Sequence, residues 1–347
     1  VNLNLKVAVV GCGALGSYYG AKLCRLGCQT HFLLRSDYAH VRRHGVWIRS
    51  DQGDLRLRPR CARTPEEIGP ADLVVIGLKT TANDELPRLL PPLIETHTVV
   101  LTLQNGLGNE EAIASLVPAG QIMGGLCFVC LNRIRPGVIQ HLAHGMIVLG
   151  EYAGWPAPRT HDMAGLFRRS GVPCKVADNL ALAHWEKLVW NIPFNGLGVA
   201  GAAGLPAMED ASHPIIRTGA CLTTEALLAH PGWARLVRDL MLEVIAGAGR
   251  VGNQLPGDLA DRMLEKTLLM GPYKPSTVCD FEMGRPLELD ALFRMPLARA
   301  QSAGSPMPIL ERLCRVLETL ESRQTSLHNA SGPLPPGAPQ RQGQDGD

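Results

Sequence analysis

Lys187, Asn191 and Asn195 recur every four residues in a stretch whose other members, Leu188, Val189, Trp190, Ile192 and Phe194, are apolar. On a helix that spacing stacks a cation and two amides in one line. The surroundings are too hydrophobic on every side for a solvated face, so the line reads as a row turned toward a ligand. Pro193 falls inside the same pattern and predicts a kink that frees the Val189 carbonyl for a ligand or water. A second polar group, Ser276, Asp280 and Glu288, is spread over a helix, a break at Gly284, Arg285 and Pro286, and a further helix.

Another chemistry is written at the start of the chain. The apolar run Val7 to Val10 stops at Gly11, Cys12, Gly13, Ala14, Leu15 and Gly16, the G-x-G-x-x-G spacing of a dinucleotide site. Gly11 suits a turn at positive φ, Gly13 leaves the backbone bare for a pyrophosphate, and Gly16 permits close packing of helix on strand. The phosphates would then meet the positive end of the helix. With 37 glycines in the chain the triplet alone could arise by chance. Its context, strand before and helix pattern after, closed by Gly27, makes it a fingerprint.

The next strand, Thr30 to Leu34, ends at Arg35. NAD sites usually carry an acid about 20 residues after the glycines, to hold the ribose 2′-hydroxyl, whereas Arg suits the 2′-phosphate of NADP. Arg35 therefore favours NADP(H), with Asp37 as the opposing signal and Arg42 and Arg43 as further positive charge or a solvated helix face. Lys79, at the end of the buried run Ala71 to Lys79, and Asn105, in the turn Gln104 to Gly108, fall at the same carboxyl edge, where open α/β sheets bind ligands. Lys79 reads as a cofactor or substrate contact, and Asn105 as an amide aimed at the nicotinamide end.

These residues need a scaffold. Strand-length runs alternate with helix-length intervals as far as about residue 178: Gly45 to Arg58 as a hairpin, Thr98 to Leu103, Met123 to Leu131, Gly137 to Leu142, Met146 to Leu149 and Val172 to Val176. The fold class expected is α/β, an N-terminal Rossmann-type doubly wound sheet over residues 1–178. From Leu180 to about Arg323 the apolar residues recur at helical spacing, giving an all-helical C-terminal domain over 179–323. Gln324 to Asp347, rich in Pro, Gly, Gln and Ser, reads as a disordered tail.

A length of 347 residues accommodates two domains. The formal charge of +2 with 46% hydrophobic residues gives no nucleic-acid surface. No apolar run approaches the ~18 residues that span a bilayer, and no signal peptide opens the chain, so the cytoplasm is the expected location. The ten cysteines show no paired framework and read as reduced thiols. Cys127 and Cys130 form a C-x-x-C without a second pair, so no metal is expected there.

Taken together, G-C-G-A-L-G at 11 to 16, L-K at 78 to 79, Q-N-G-L-G at 104 to 108, K-L-x-x-N-x-x-x-N at 187 to 195 and S-x-x-x-D-x-x-x-G-R-P-x-E at 276 to 288 resemble the ketopantoate reductases, over residues 6 to about 320. The resemblance implies reduction of 2-dehydropantoate by NADPH to (R)-pantoate, on the way to pantothenate and coenzyme A. It implies that Lys187 donates to the ketone oxygen, that Glu288 orients this lysine and the substrate, and that Asn105, Asn191, Asn195 and Ser276 hold substrate. Arg35 and Lys79 match cofactor contacts. Elementary chemistry agrees: hydride addition leaves negative charge on the ketone oxygen, and a cation beside it acts mainly in the transition state.

The chain departs from the family at Gly204 and Leu205, where many members have Asn-Gly, and at Asp290 to Arg294, where many read D-A-L-N-G. Both departures are expected to bear on the substrate side of the cleft or on its support. Reduction of another branched 2-oxo or 3-oxo acid, and a non-catalytic NADP-binding sensor, remain the alternatives, and a homodimer is left open as the assembly.

Overall fold

The computed structural model describes residues 4–330. Ten strands form one sheet: β1 (Lys6–Val10), β2 (Gln29–Leu33), β3 (Val46–Ser50), β4 (Leu55–Leu57), β5 (Arg60–Ala62), β6 (Leu73–Ile76), β7 (Val99–Thr102), β8 (Ile122–Arg135), β9 (Val138–Glu151) and β10 (Cys174–Val176). Their order is β4-β3-β9-β8-β7-β6-β1-β2-β5, with β10 on β9. From β5 to β8 neighbouring strands run parallel. Parallel strands must be covered on both faces, which is why β6 and β7 are apolar and buried at nearly every position.

Helices supply that cover. On one face Tyr18, Tyr19 and Leu23 of α1 (Ala14–Leu26) and Leu166 and Phe167 of a later helix, Pro158–Arg169, close a core with Val9, Val75 and Leu101. On the other, Leu86, Leu90, Leu93 and Ile113 pack on Val10, Ile76 and Val100. Gly27 ends α1 in the left-handed conformation at φ 106°, its N–H returning to the carbonyls of Cys24 and Leu23.

The remaining helices in this half are α2 (Tyr38–His44), α3 (Leu86–Leu89), α4 (Asn109–Ala114) and the helix just named, α5. In place of separate short strands at Gly137 to Leu142 and Met146 to Leu149, β9 runs unbroken between them. The apparent interruption is a bulge: His144 (φ 64°) and Gly145 (φ 128°) absorb an extra residue, and Val129 pairs with His144 while Phe128 pairs with Met146. A polar interval in a sequence can be a kink within a strand as readily as its end.

The helical half begins at α6 (Leu180–Ala200), whose N terminus is capped by the Asn179 side chain accepting from Leu182 N at 3.0 Å. It continues with α7 (Pro206–Glu209), α8 (Thr224–Ala229), α9 (Pro231–Arg250), α10 (Leu259–Leu268), α11 (Ser276–Glu282), α12 (Met295–Ser302) and α13 (Pro308–Ala330). α6 lies at the centre, against α9, α11 and α13, and carries buried residues around most of its circumference. It continues through Pro193 to Ala200. Neighbouring helices hold it on all sides, and Gly196 and Gly198 let Phe293, Leu313 and Val278 approach closely.

The tail expected from Gln324 also needs correction. α13 extends to Ala330, with Gln324 Nε2 donating to the Phe281 carbonyl at 2.7 Å and the Thr325 hydroxyl bonded to the Glu321 carbonyl at 3.0 Å. Composition alone misses a polar helix end that is tied down by such bonds. Residues 331–347 lie outside the described residues.

Candidate active site

The carboxyl ends of β1, β6 and β7, adjacent in the sheet, lead into Gly11, into Leu78 and Lys79, and into Gln104 to Gly108. The turn at Gly11 has φ 93°, and a Cβ there would stand 2.3 Å from Leu78 N. A Cβ on Gly16 would stand 2.2 Å from Gly11 O, so helix and strand could not come together with any larger residue. By contrast, nothing lies within 4 Å of a Cβ on Gly13. The N terminus of α1 has no side-chain cap, so its first N–H groups face that open space. Cys12, Ala14 and Leu15 complete the loop, and the arrangement fits a dinucleotide pyrophosphate.

At the end of β2, Arg35 is exposed while Asp37 is buried. Arg133 grips Asp37 with its guanidinium, Nε at 3.0 Å from Oδ2 and Nη2 on Oδ1, and Gly137 N donates to Oδ2 at 3.3 Å. The acid that argued for a ribose hydroxyl is thereby spoken for. Arg42 is partly engaged with the Tyr38 hydroxyl at 3.3 Å.

Two lysines join the sheet half to the helical half. Lys79 Nζ donates to Asp280 Oδ2 at 2.8 Å and Glu288 Oε2 at 2.9 Å, and Thr80 N donates to Glu288 Oε1 at 2.8 Å. Burial works against the charge of Lys79, but Glu288 and Asp280 together outweigh it and the pKa rises. Lys187, from α6, donates to Asn105 Oδ1 at 2.7 Å and stands 5.4 Å from the centre of the Phe128 ring. Burial lowers its pKa, with Cys127 and Glu288 offsetting part of the effect.

The loop bearing Asn105 is held from below. Thr102 Oγ1, Gln104, Asn83 and Asn109 form a chain of side-chain bonds of 2.7 to 3.2 Å, and Asn109 Nδ2 donates to the Asn105 carbonyl at 3.1 Å. From the helical half, the Ala291 carbonyl receives Leu107 N at 2.9 Å. It lies so close that a Cβ on Gly106, φ 88°, would come within 2.3 Å of its oxygen.

Several expectations change. Glu288 is bonded to Lys79 and Thr80 and not directly to Lys187, whose ammonium donates to Asn105 and feels Glu288 only through space. Lys79, expected as a cofactor or substrate contact, binds the two carboxylates while its side chain stays half exposed. Asn105 presents its oxygen to Lys187, so the amide aimed at a nicotinamide is at most its other end, Nδ2. Asn191 and Asn195 do follow Lys187 along α6, but both are buried. Asn195 Oδ1 accepts from Thr277 N at 3.0 Å and the Ser276 hydroxyl at 3.4 Å, which ties α6 to the start of α11.

The two family departures lie in the helical half. Phe293 is fully buried beneath Gly196, and Arg294 pairs with Asp290 and Glu318. Leu205 packs on Gly232. Both departures belong to the helical core and its outer surface, and the segment of Phe293 and Arg294 also carries Ala291, which packs on the loop of Asn105.

Sequence reasoning left Asp280 without a role and passed over Glu110 and His184. The last two meet across the halves at 2.9 Å, both buried, with Glu110 on α4 and His184 one turn before Lys187. His184 extends the polar line of α6 by three residues toward its N terminus, which is the signal that could have revealed it.

Comparison with known proteins covers both halves. The family model described as ketopantoate reductase PanE/ApbA matches residues 7–154, and its C-terminal counterpart matches 179–321. A 2-dehydropantoate 2-reductase of Nostoc sp. is 40% identical over 324 residues, 92% of this chain and 96% of the relative. The crystal structure of 2-dehydropantoate 2-reductase from Geobacter metallireducens is 46% identical, with a TM-score of 0.82 over 91% of this chain and 99% of the other. The enzyme of the same name from Methylococcus capsulatus has a TM-score of 0.82 at 30% identity, covering 92% and 98%.

Proposed function

The chain belongs to the ketopantoate reductase family, and from that premise we propose that it reduces 2-dehydropantoate to (R)-pantoate with NADPH, as a step toward pantothenate and coenzyme A. The observation that carries the reading is the Lys187 ammonium, fixed by Asn105 and weakened as a cation by burial, in a cleft bordered by the glycine loop's edge of the sheet.

The residues suited to the cofactor are Gly11, Cys12, Gly13, Ala14, Leu15 and Gly16 for the pyrophosphate and Arg35 for the 2′-phosphate, Asp37 being neutralised by Arg133. When bound, the nicotinamide would supply the hydride. Lys187 donates a hydrogen bond to the ketone oxygen and, as that oxygen gains charge, stabilises it and gives up a proton. Burial aids the last step, because it disfavours the ammonium in the resting protein. Asn105 keeps the Nζ from swinging away. Glu288, pinned by Lys79 and Thr80, is an acceptor for a substrate hydroxyl and adds negative potential that limits how far the Lys187 pKa falls. Asn191 belongs to the substrate wall, while Asn195 and Ser276 support it by joining two helices.

Residues 1–178 act as the NADP-binding domain and 179–323 as the substrate domain in this proposal, with a cytoplasmic location and a homodimer as its remaining parts.

Steady-state reduction of ketopantoate by both nicotinamides tests the reading. Lys187→Ala should lower kcat by about 10³-fold, within the range removed with a general acid, while NADPH still quenches or shifts the intrinsic fluorescence as in the parent. Turnover at the parental rate in that variant would refute the assignment. Arg35→Ala should weaken NADPH binding by roughly 10- to 100-fold, the worth of a charge-assisted hydrogen bond, and NADH binding far less. Equal losses for the two cofactors would remove the 2′-phosphate role.

A further inference from the structure

Phe128 is a large apolar side chain left 38% exposed next to the lysine around which the proposed reaction turns. It occupies β8 at the position where the register against β9 slips, between Phe128 and Val129. A bulge of this kind re-aims a side chain. The preceding residue, Cys127, is buried, so the strand delivers one residue to the core and the next to the cleft.

We propose that Phe128 is a specificity-determining residue: its exposed ring forms the apolar wall against which the branched carbon next to the ketone of a 2-oxo acid packs. This deepens the reductase reading and rests on it. The geometry is short-range. A ketone oxygen accepting from Lys187 Nζ lies about 2.9 Å from it, and the carbon beside the carbonyl is then only about two bond lengths farther. The ring centre is 5.4 Å from the same Nζ, so with the ketone bound on the ring's side of the ammonium the methyl groups on that carbon come within van der Waals reach of the ring. Asn105 occupies another side of the ammonium with a polar amide. The ring thus gives the site one apolar boundary at the place where branching begins, and a straight-chain acid would leave it wet.

The ring also bears on the ammonium. A cation near an aromatic face is favoured in its charged form, so Phe128 opposes the effect of burial on Lys187. A leucine in its place would keep the apolar wall and lose the π face.

The test is a series differing by one methyl at a time on the carbon beside the ketone: 2-oxobutanoate, 3-methyl-2-oxobutanoate and 3,3-dimethyl-2-oxobutanoate, with ketopantoate as reference. A single methyl in an apolar pocket is worth about 10- to 200-fold in discrimination. The parent should therefore show kcat/KM rising along the series. Phe128→Ala should lower kcat/KM for the dimethyl acid by at least about tenfold, mainly through KM, and leave 2-oxobutanoate within about threefold. Phe128→Leu should retain the rise. Phe128→Trp should crowd the wall and reverse the preference toward 2-oxobutanoate.

Equal losses for every acid in the Ala variant, or an unchanged ratio in both the Ala and Trp variants, would overturn the proposal. Failure of the reductase reading looks different: the parent itself would then reduce neither ketopantoate nor any member of the series.

Discussion

Lys79 and Lys187 both join the sheet half to the helical half, one from the end of β6 and the other from α6, yet they are held in opposite ways. Lys79 meets two carboxylates and its pKa is driven up; Lys187 meets a neutral amide in a buried setting and its pKa is driven down. The same side chain is thereby made into two different devices. A cation locked between Asp280 and Glu288 gives up its proton reluctantly and serves to position. A cation hydrogen-bonded to an amide oxygen in a buried setting parts with its proton more readily and serves as an acid.

The widest separation of the two roles comes from truncating each lysine in turn. Lys187→Ala removes the proton donor, with the loss of about 10³-fold already given. Lys79→Met should cost roughly tenfold to a hundredfold in kcat/KM, because Glu288 loses its main partner and reorients while the acid itself remains. It should also lower stability by only about 1 kcal/mol, since Lys79 is half exposed and solvent screens its charge. Adding Glu288→Gln to Lys79→Met should do less further harm than Glu288→Gln does in the parent. A double-mutant cycle in kcat/KM and in urea midpoint measures this coupling. Additive effects in both readouts would mean that Lys79 does not act through Glu288, and the contrast between the two lysines would fail.

Much of this is legible in the amino-acid sequence. The glycine fingerprint carries its own backbone geometry, so the strand, turn and helix at Gly11 to Gly16 follow from the residue types. The line Lys187, Asn191 and Asn195 follows from helical periodicity. What periodicity cannot supply is the partner. Lys79 and Asn105 were visible at one edge of the sheet and Lys187 and Glu288 in the helical half, but which of them meet depends on how the halves pack, as at Gly106 on Ala291, a contact 185 residues apart in the chain. The buried Glu110 and His184 pair was hidden for the same reason: each residue alone looks like an ordinary helix-surface residue.

The same reasoning misread the bulge at His144 and Gly145 as a gap between strands, although that bulge belongs to the pair of strands that presents Phe128. It also placed the family departures at Leu205 and Phe293 on the substrate side of the cleft or in its support, and volume at both is absorbed by the helical core. Local pattern identified which residues were unusual. Long-range packing decided what they touch.

A subtler change would erase the contrast without removing either lysine. Because burial holds the Lys187 pKa below the ordinary lysine value, its proton is lost as pH rises, earlier than that of Lys79, whose pKa is raised. An alkaline window therefore exists in which Lys187 is neutral while Lys79 still clamps Glu288. In that window kcat/KM for ketone reduction should fall. The sign for stability is the reverse: the unfolded chain binds the Lys187 proton more tightly than the folded one, so this group's contribution to stability grows as pH increases through the window. Loss of activity there should consequently precede any fall in Tm. Asn105→Asp gives Lys187 a carboxylate and makes its surroundings resemble those of Lys79, so the alkaline limb should move up by about one pH unit, which corresponds to 1.36 kcal/mol of added preference for the charged form. Profiles of kcat/KM against pH, with melting curves at each pH, read both effects. A limb that stays in place in Asn105→Asp would assign it to some group other than Lys187.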